Sequence, residues 1–174
     1  SAEEHYMDLG AYTGDTIMEF IRYAGAWRRI TALEPDPVTF AKLERNTAGL
    51  HDCILYRLGA YSRYARLPFA GGAGRGSHLA EGGVMTELDS VDNILCGQPV
   101  SLINVDTEGM EAEAIAGMAK VLRRHRPKLL LAAYHRSEDL WRLPLEVLAI
   151  QPEYKVYLRH YPCLPAWDVN YYFV

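Results

Sequence analysis

The stretch Asp8-Leu9-Gly10-Ala11-Tyr12-Thr13-Gly14-Asp15-Thr16 joins a strand-like run, Glu4 to Leu9, to a segment with Ile17, Phe20, Ile21 and Ala24 at helical spacing. Two glycines at a strand-to-helix turn let the backbone bend tightly and approach a ligand, and the helix N-terminus beyond them presents unpaired N–H groups. The pattern then repeats. Arg29 to Leu33 reads as a second strand and Val38 to Ala48 as a second helix, opened by Asp36 as N-cap with Pro37 at the first helical position. Cys53 to Leu58 is a third strand, closed by Gly59. Such alternation predicts an open, mostly parallel sheet with helices on both faces, whose ligand lies beyond the carboxyl ends of the strands where strand order reverses.

Downstream the alternation pauses and resumes. Ala65 to Gly83 holds six glycines and few large apolar residues, and reads as a loop or a long hairpin excursion. Val84 to Leu88 is a short strand, Asp89 to Leu95 one or two helical turns, and Val100 to Val105 a core strand. Glu111 to Arg124 follows as one helix with Ala112, Ile115, Met118, Ala119 and Leu122 on its apolar face. Lys128 to Ala133 is another strand, and Ser137 is expected to cap a helix running to about Ile150 with a break near Pro144. Tyr154 to Tyr161 and Val169 to Val174 close the chain without a helix between them, which predicts a hairpin and so one antiparallel strand. The count is seven core strands in a single domain over residues 1–174.

Composition narrows the partners. The 174 residues carry 18 Lys+Arg and 22 Asp+Glu, a net charge of −4, so the clustered basic surface that phosphate backbones require is not expected, and nucleic acid is excluded as a partner. No apolar run approaches the roughly 20 residues of a membrane span, and no leader pattern precedes the first strand, which gives a cytoplasmic expectation. Cys53, Cys96 and Cys163 lack any C-x-x-C spacing and read as small buried hydrophobes, with neither disulfide nor zinc site. Trp141, Tyr157, Tyr161 and Trp167 read as core and strand-face residues rather than sugar-stacking ones.

Three constellations carry chemistry. Glu34, at the end of the second strand and about 20 residues past the glycine turn, is placed to accept hydrogen bonds from the two hydroxyls of a ribose. A dinucleotide turn needs G-x-G-x-x-G so that a pyrophosphate can sit on the helix N-terminus, whereas Tyr12 stands at the middle glycine position. Asp8, two residues ahead of Gly10, suits a cationic ligand, and S-adenosylmethionine carries an ammonium and a sulfonium. The second constellation, Asn104-Val105-Asp106-Thr107-Glu108-Gly109-Met110-Glu111, puts Asp106 and Glu108 on the crevice that Gly10 faces, while Glu111 complements the dipole of the next helix. The third is Tyr134-His135-Arg136, where His135 can act as a general base near neutrality, with Asp106 as its orienter or as the alternative base. His78, in the glycine-rich excursion, is a weaker candidate for substrate contact. A metal bridging Asp106, Glu108 and His135 is chemically conceivable, but no tight ligand spacing demands one and none is expected.

In order along the chain, Asp8-Leu9-Gly10-Ala11 with Gly14-Asp15-Thr16, Leu33-Glu34-Pro35-Asp36-Pro37, Leu58-Gly59-Ala60-Tyr61-Ser62, Leu88-Asp89 and Asn104-Val105-Asp106-Thr107-Glu108-Gly109 resemble the FkbM family of methyltransferases. The resemblance implies a class I, seven-stranded, Rossmann-like fold and S-adenosylmethionine-dependent O-methylation of a hydroxylated small molecule, sugar or lipid. It implies that Asp8, Gly10 and Gly14, with Ala11, Tyr12 and Thr16 of the same turn, line the methionine portion. Glu34 beside Pro35 would hold the ribose, and Gly59 and Ala60 would flank the adenine. Asp106 and Glu108 would border the transfer site, with His135 across from them. Two residues depart from the family pattern: Tyr12 replaces a smaller polar residue and Thr107 an aliphatic one. Relatives also carry N-terminal segments that cover the cofactor, and this chain is expected to lack them. A methyltransferase-like binding domain without activity and, less favoured, a nicotinamide-dependent oxidoreductase are the alternatives; neither the acceptor nor the oligomeric state is legible.

Overall fold

The computed structural model describes residues 3–70, 78–79, 83–160 and 169–174. Its strands are β1 (His5–Leu9), β2 (Arg29–Leu33), β3 (Cys53–Tyr56), β4 (Gly59–Ala60), β5 (Ala65–Ala70), β6 (His78–Leu79), β7 (Val84–Asp89), β8 (Leu102–Val105), β9 (Lys128–Ala132), β10 (Val156–His160) and β11 (Val169–Phe173). The helices are α1 (Asp15–Ala24), α2 (Pro37–Thr47), α3 (Val91–Leu95), α4 (Glu111–Gly117), α5 (Ala119–His125) and α6 (Asp139–Ile150). Seven strands form the main sheet in the order β10-β11-β9-β8-β1-β2-β3. β11 runs antiparallel to both its neighbours, and the remaining pairs are parallel. The expected sheet, with its one reversed strand, is the observed one.

Alternation along β1 divides the core. Tyr6 packs with Ile30 and Ala32 against Ile17 of α1 and Leu43 of α2. Met7 and Leu9 join Ile103, Leu129 and Phe173 against Ile115, Leu122 and Leu143 of the helices on the other face. Full burial of each such side chain stabilises the fold by roughly 2 kcal/mol. Because β1 lies between β2 and β8, the chain leaves it in one direction and returns on its other side, and the crevice at this reversal opens at the carboxyl ends of β1, β2 and β8. The Asp36 cap forms as expected, its carboxylate accepting from the N–H groups of Val38 and Thr39 at 3.0 and 2.8 Å.

Several expectations are corrected. Gly59 does not close β3; it begins β4, which pairs with β7 in a second sheet of order β4-β7-β5-β6, while of the two readings of the glycine-rich excursion the hairpin is the observed one, β5 pairing antiparallel with β6 and β7. The helix expected over Glu111–Arg124 is two helices. A Cβ on Gly117 would stand 1.9 Å from the Tyr61 carbonyl oxygen, and Asp92, from α3, accepts from the N–H groups of Lys120 and Val121 at 3.1 and 2.9 Å, so α5 has a cap of its own from a remote element. Ser137 is not the cap of α6; the flanking residue is Glu138, and Asp139 instead accepts from the Arg136 N–H at 2.9 Å. Pro144 does not break that helix, because the Leu140 carbonyl that its missing N–H leaves open accepts from the Tyr171 hydroxyl at 2.6 Å. Cys53 is half-buried and Cys96 exposed, and Trp141 and Tyr157 lie on the surface rather than in the core. Tyr161, Cys163, Trp167 and the side chain of His78 lie outside the described residues. Among those residues no helix is long and apolar enough to cross a membrane.

Candidate active site

A cavity opens at the crevice, and its walls come from seven separate stretches of sequence. Of the residues singled out above, Gly10, Tyr12, Thr16, Glu34, Pro35, Gly59, Ala60, Asp106 and Glu108 line it. Asp8, Ala11 and Gly14 do not. Asp8 is fully buried one layer beneath, where it accepts from Asn104 Nδ2 at 2.9 Å and from the Thr16 hydroxyl, and so fixes two residues that do line the cavity. Burial pushes its carboxyl up to about 6, against the pull of its hydrogen bonds from Asn104, Thr16 and Tyr6.

Glu34 closes one end. Its two oxygens accept from the backbone N–H groups of Tyr12 at 3.0 Å and Asp36 at 2.9 Å, so one carboxylate ties the first turn to the start of α2. The side chain is largely buried, and burial raises its pKa to about 7 despite those two donors. Beside it Pro35, Gly59, Ala60, Phe69 and Leu88 make an apolar slot. Phe69 and Leu88 come from the second sheet; Leu88 belongs to the Leu88-Asp89 motif quoted above, whereas Phe69 is not singled out from sequence, because an excursion rich in glycine gives no period to read.

The other end is acidic. Asp106 accepts from the Tyr134 hydroxyl at 2.9 Å, and its second oxygen lies 3.3 Å from Nε2 of His135. Glu108, held at φ 53 in the left-handed region that non-glycine residues seldom adopt, brings a carboxylate oxygen to 3.4 Å from the same nitrogen. On the far side of the ring, Nδ1 of His135 lies 3.0 Å from Glu111. Glu111 is buried and also accepts from the N–H of Thr107 at 2.9 Å, from its hydroxyl at 3.1 Å and from the N–H of Gly109 at 3.2 Å. It does more than complement a helix dipole: it anchors the Thr107–Gly109 turn and pairs with His135. Burial would depress the His135 pKa, but the pairing with Glu111 and the charges of Asp106 and Glu108 outweigh it and hold it above the ordinary imidazole value. Burial would likewise raise Glu111, yet His135 and the Thr107 N–H hold it low. Replacing Glu111 with Ala therefore leaves Nδ1 of His135 and the half-buried N–H groups of Thr107 and Gly109 without this acceptor, a loss of about 3 kcal/mol. A thermal midpoint lower by roughly 6–12 °C is expected; a change of under about 2 °C would show that the pair carries no stability.

Residues 8–157 match the Methyltransferase FkbM domain. The crystal structure of an FkbM methyltransferase from Methylobacillus flagellatus is similar with a TM-score of 0.83 and 27% identity, over 99% of this chain and 44% of that one. The chain thus spans less than half the length of that protein. Aeropyrum pernix fibrillarin, solved with natively bound S-adenosyl-L-methionine, is similar at a TM-score of 0.63 and 14% identity over 98% of this chain and 66% of its own. A precorrin-6y C5,15-methyltransferase from Geobacter metallireducens gives 0.59 and 16% over 99% and 79%. At those identities the likeness is one of fold. Comparison with curated proteins gives no match. The seven-stranded sheet with its single reversed strand is the Rossmann-like fold of class I methyltransferases, and with the domain match running from Asp8 at the first turn to Tyr157 in β10, the chain belongs to the FkbM methyltransferase family.

Proposed function

We propose that this chain binds S-adenosyl-L-methionine in the cavity at the head of β1, β2 and β8 and transfers its methyl group to a hydroxyl oxygen of a small molecule, sugar or lipid. The observation that carries the reading is the pairing of Glu34 at one end of the cavity with Asp106 and Glu108 at the other. A buried carboxylate already fixed by two N–H groups is a rigid acceptor for ribose hydroxyls, the apolar slot beside it suits adenine, and the carboxylates opposite suit an ammonium and a sulfonium. A nicotinamide dinucleotide fits less well, because Tyr12, at φ 48, occupies the place where a pyrophosphate needs bare backbone.

S-Adenosylmethionine supplies a methyl group on a sulfonium, whose positive charge is lost on transfer. What the chain supplies is chiefly position, and holding two reactants in line is worth roughly 7–11 kcal/mol in well-oriented systems. Asp106 and His135 are the residues assigned to the acceptor hydroxyl. The three carboxylates around His135 favour its protonated form, so of the two assignments weighed from sequence the geometry favours Asp106 as the group that takes the proton. A wider depression shares Thr16, Asn104, Asp106 and Tyr134 with the cavity and continues past Phe20, Leu130 and Tyr172, a route by which an acceptor can reach Asp106.

The test is calorimetric titration with S-adenosylhomocysteine and, separately, NAD. Micromolar binding of the first alone supports the reading, NAD binding alone replaces it with an oxidoreductase, and binding of neither leaves a methyltransferase-like domain without this cofactor. Once a hydroxylated acceptor is found, Asp106→Asn is expected to lower turnover by about 10²- to 10⁴-fold.

A further inference from the structure

Asp106, Glu108 and His135 come from two loops that the sequence does not bring together, yet their ligand atoms all lie within 4.8 Å of one another. We propose that these three side chains hold a divalent cation of the Mg²⁺ or Mn²⁺ type at the acidic end of the cavity, where it binds the acceptor's hydroxyl oxygen. The second half of this statement rests on the methyl-transfer reading; the cation site itself rests on geometry alone.

Three features carry it. Nε2 of His135 is 3.3 Å from Asp106 and 3.4 Å from Glu108. A proton on that nitrogen points in one direction and makes charge-assisted bonds of about 2.7–2.9 Å, so one proton serves both carboxylates poorly. Neighbouring ligands of an octahedral ion bound at about 2.1 Å stand roughly 3.0 Å apart, so a contraction of a few tenths of an ångström brings each carboxylate to ligand spacing from Nε2. The ring is oriented from behind: Glu111, buried and fixed by three donors from Thr107 and Gly109, sits 3.0 Å from Nδ1 and turns Nε2 towards the carboxylates. A carboxylate behind the imidazole is the usual support for a metal-binding histidine. Finally, three carboxylates meet one imidazole, so the cluster stays negative even with the ring protonated, and a divalent ion neutralises it. Asp106 and Glu108 retain 38% and 31% side-chain exposure, which leaves the far side of the ion open to a hydroxyl or to water. Two carboxylate oxygens favour a hard ion, and the single imidazole favours Mn²⁺ within that group.

The test needs no acceptor. Mn²⁺ is titrated into the purified, chelator-stripped chain while the spectrum of the free ion is followed by electron paramagnetic resonance. One site per chain with a dissociation constant below about 10⁻⁴ M is expected, weakened about tenfold or more by Glu108→Gln and by Asp106→Asn. Glu108→Gln changes a half-exposed side chain, and an unchanged thermal midpoint certifies its fold. No binding up to about 10⁻³ M, or equal affinity in wild type and both variants, overturns the site. Titration of the same stripped protein with S-adenosylhomocysteine reads the methyl-transfer proposal separately: its failure removes the acceptor role and leaves the Mn²⁺ result to decide the cation site.

Discussion

Gly10→Ala is expected to lower the thermal midpoint by roughly 6–15 °C and to abolish the proposed binding of S-adenosylhomocysteine. Gly10 sits at φ +84, and a Cβ there would stand 1.9 Å from the carbonyl oxygen of Asp106 and 2.9 Å from its carbon. These are backbone atoms of the adjoining strand end, so relief requires the β1 and β8 termini to separate by about 1 Å. That movement strains the bond from the Asp106 N–H to the Leu9 carbonyl, now 3.0 Å, and shifts Asp106 away from Tyr134 and His135. Overpacking of this kind costs about 1–3 kcal/mol, and the left-handed backbone adds about 1 more. Gly25 provides the control. It caps α1 at φ +69 with nothing within 4 Å of its added Cβ, so Gly25→Ala isolates the backbone contribution. Calorimetric midpoints of both variants decide the matter: equal losses would mean that the approach of Asp106 contributes nothing and that Gly10 is merely a turn residue.

The same contact explains what was readable beforehand. Gly10, Glu34 and Asp36 act through neighbours close in sequence or at the ends of adjacent parallel strands, where the period of the pattern fixes geometry. Elements governed by distant partners were not readable. Asp92 starts α5 across a separation of 28 residues from Lys120, and Tyr171 supplies from β11 the donor that lets α6 pass through Pro144. Local propensity sees a long helix in the first case and a break in the second, and tertiary hydrogen bonds reverse both. The site divides along the same line. Asp106 and Glu108 are legible as strand-end acids, but nothing in their spacing indicates that Glu111 turns inward to meet His135, or that Tyr134 rather than its neighbour borders the cavity. Asp8 is the opposite case: a period of two correctly puts it on the side of Tyr6, and only the packing of Asn104 and Thr16 over it sets it one layer beneath the residues that line the cavity.

Glu34 ties this architecture to a pH dependence with a definite sign. Its folded-state carboxyl, pushed up to about 7 by burial, lies above its ordinary value of 4.5. Between those values the folded chain holds a proton that the unfolded chain has released, so this group's contribution to stability is greatest below 4.5 and declines as pH rises through 7. Ligand binding runs the other way. On the proposed reading two ribose hydroxyls would donate most strongly to the ionised carboxylate, so S-adenosylhomocysteine would draw the proton off, and its affinity is expected to weaken about tenfold between pH 8 and pH 6. Asp36 and Asp8, the charges that bear on Glu34, both favour its protonated form, and the N–H groups of Tyr12 and Asp36 favour the ionised one. Glu34→Gln keeps the shape but loses the charge and turns an amide N–H towards one of those donors. An affinity lower by about 100-fold and flat across the same pH interval is the expected result, since each charge-assisted bond is worth about 1.5–3 kcal/mol. Titrations at four pH values in wild type and variant measure both effects together. A variant that binds weakly but keeps the wild-type slope would assign the pH dependence to the Asp106–Glu108–His135 cluster and remove Glu34 from contact with the ribose.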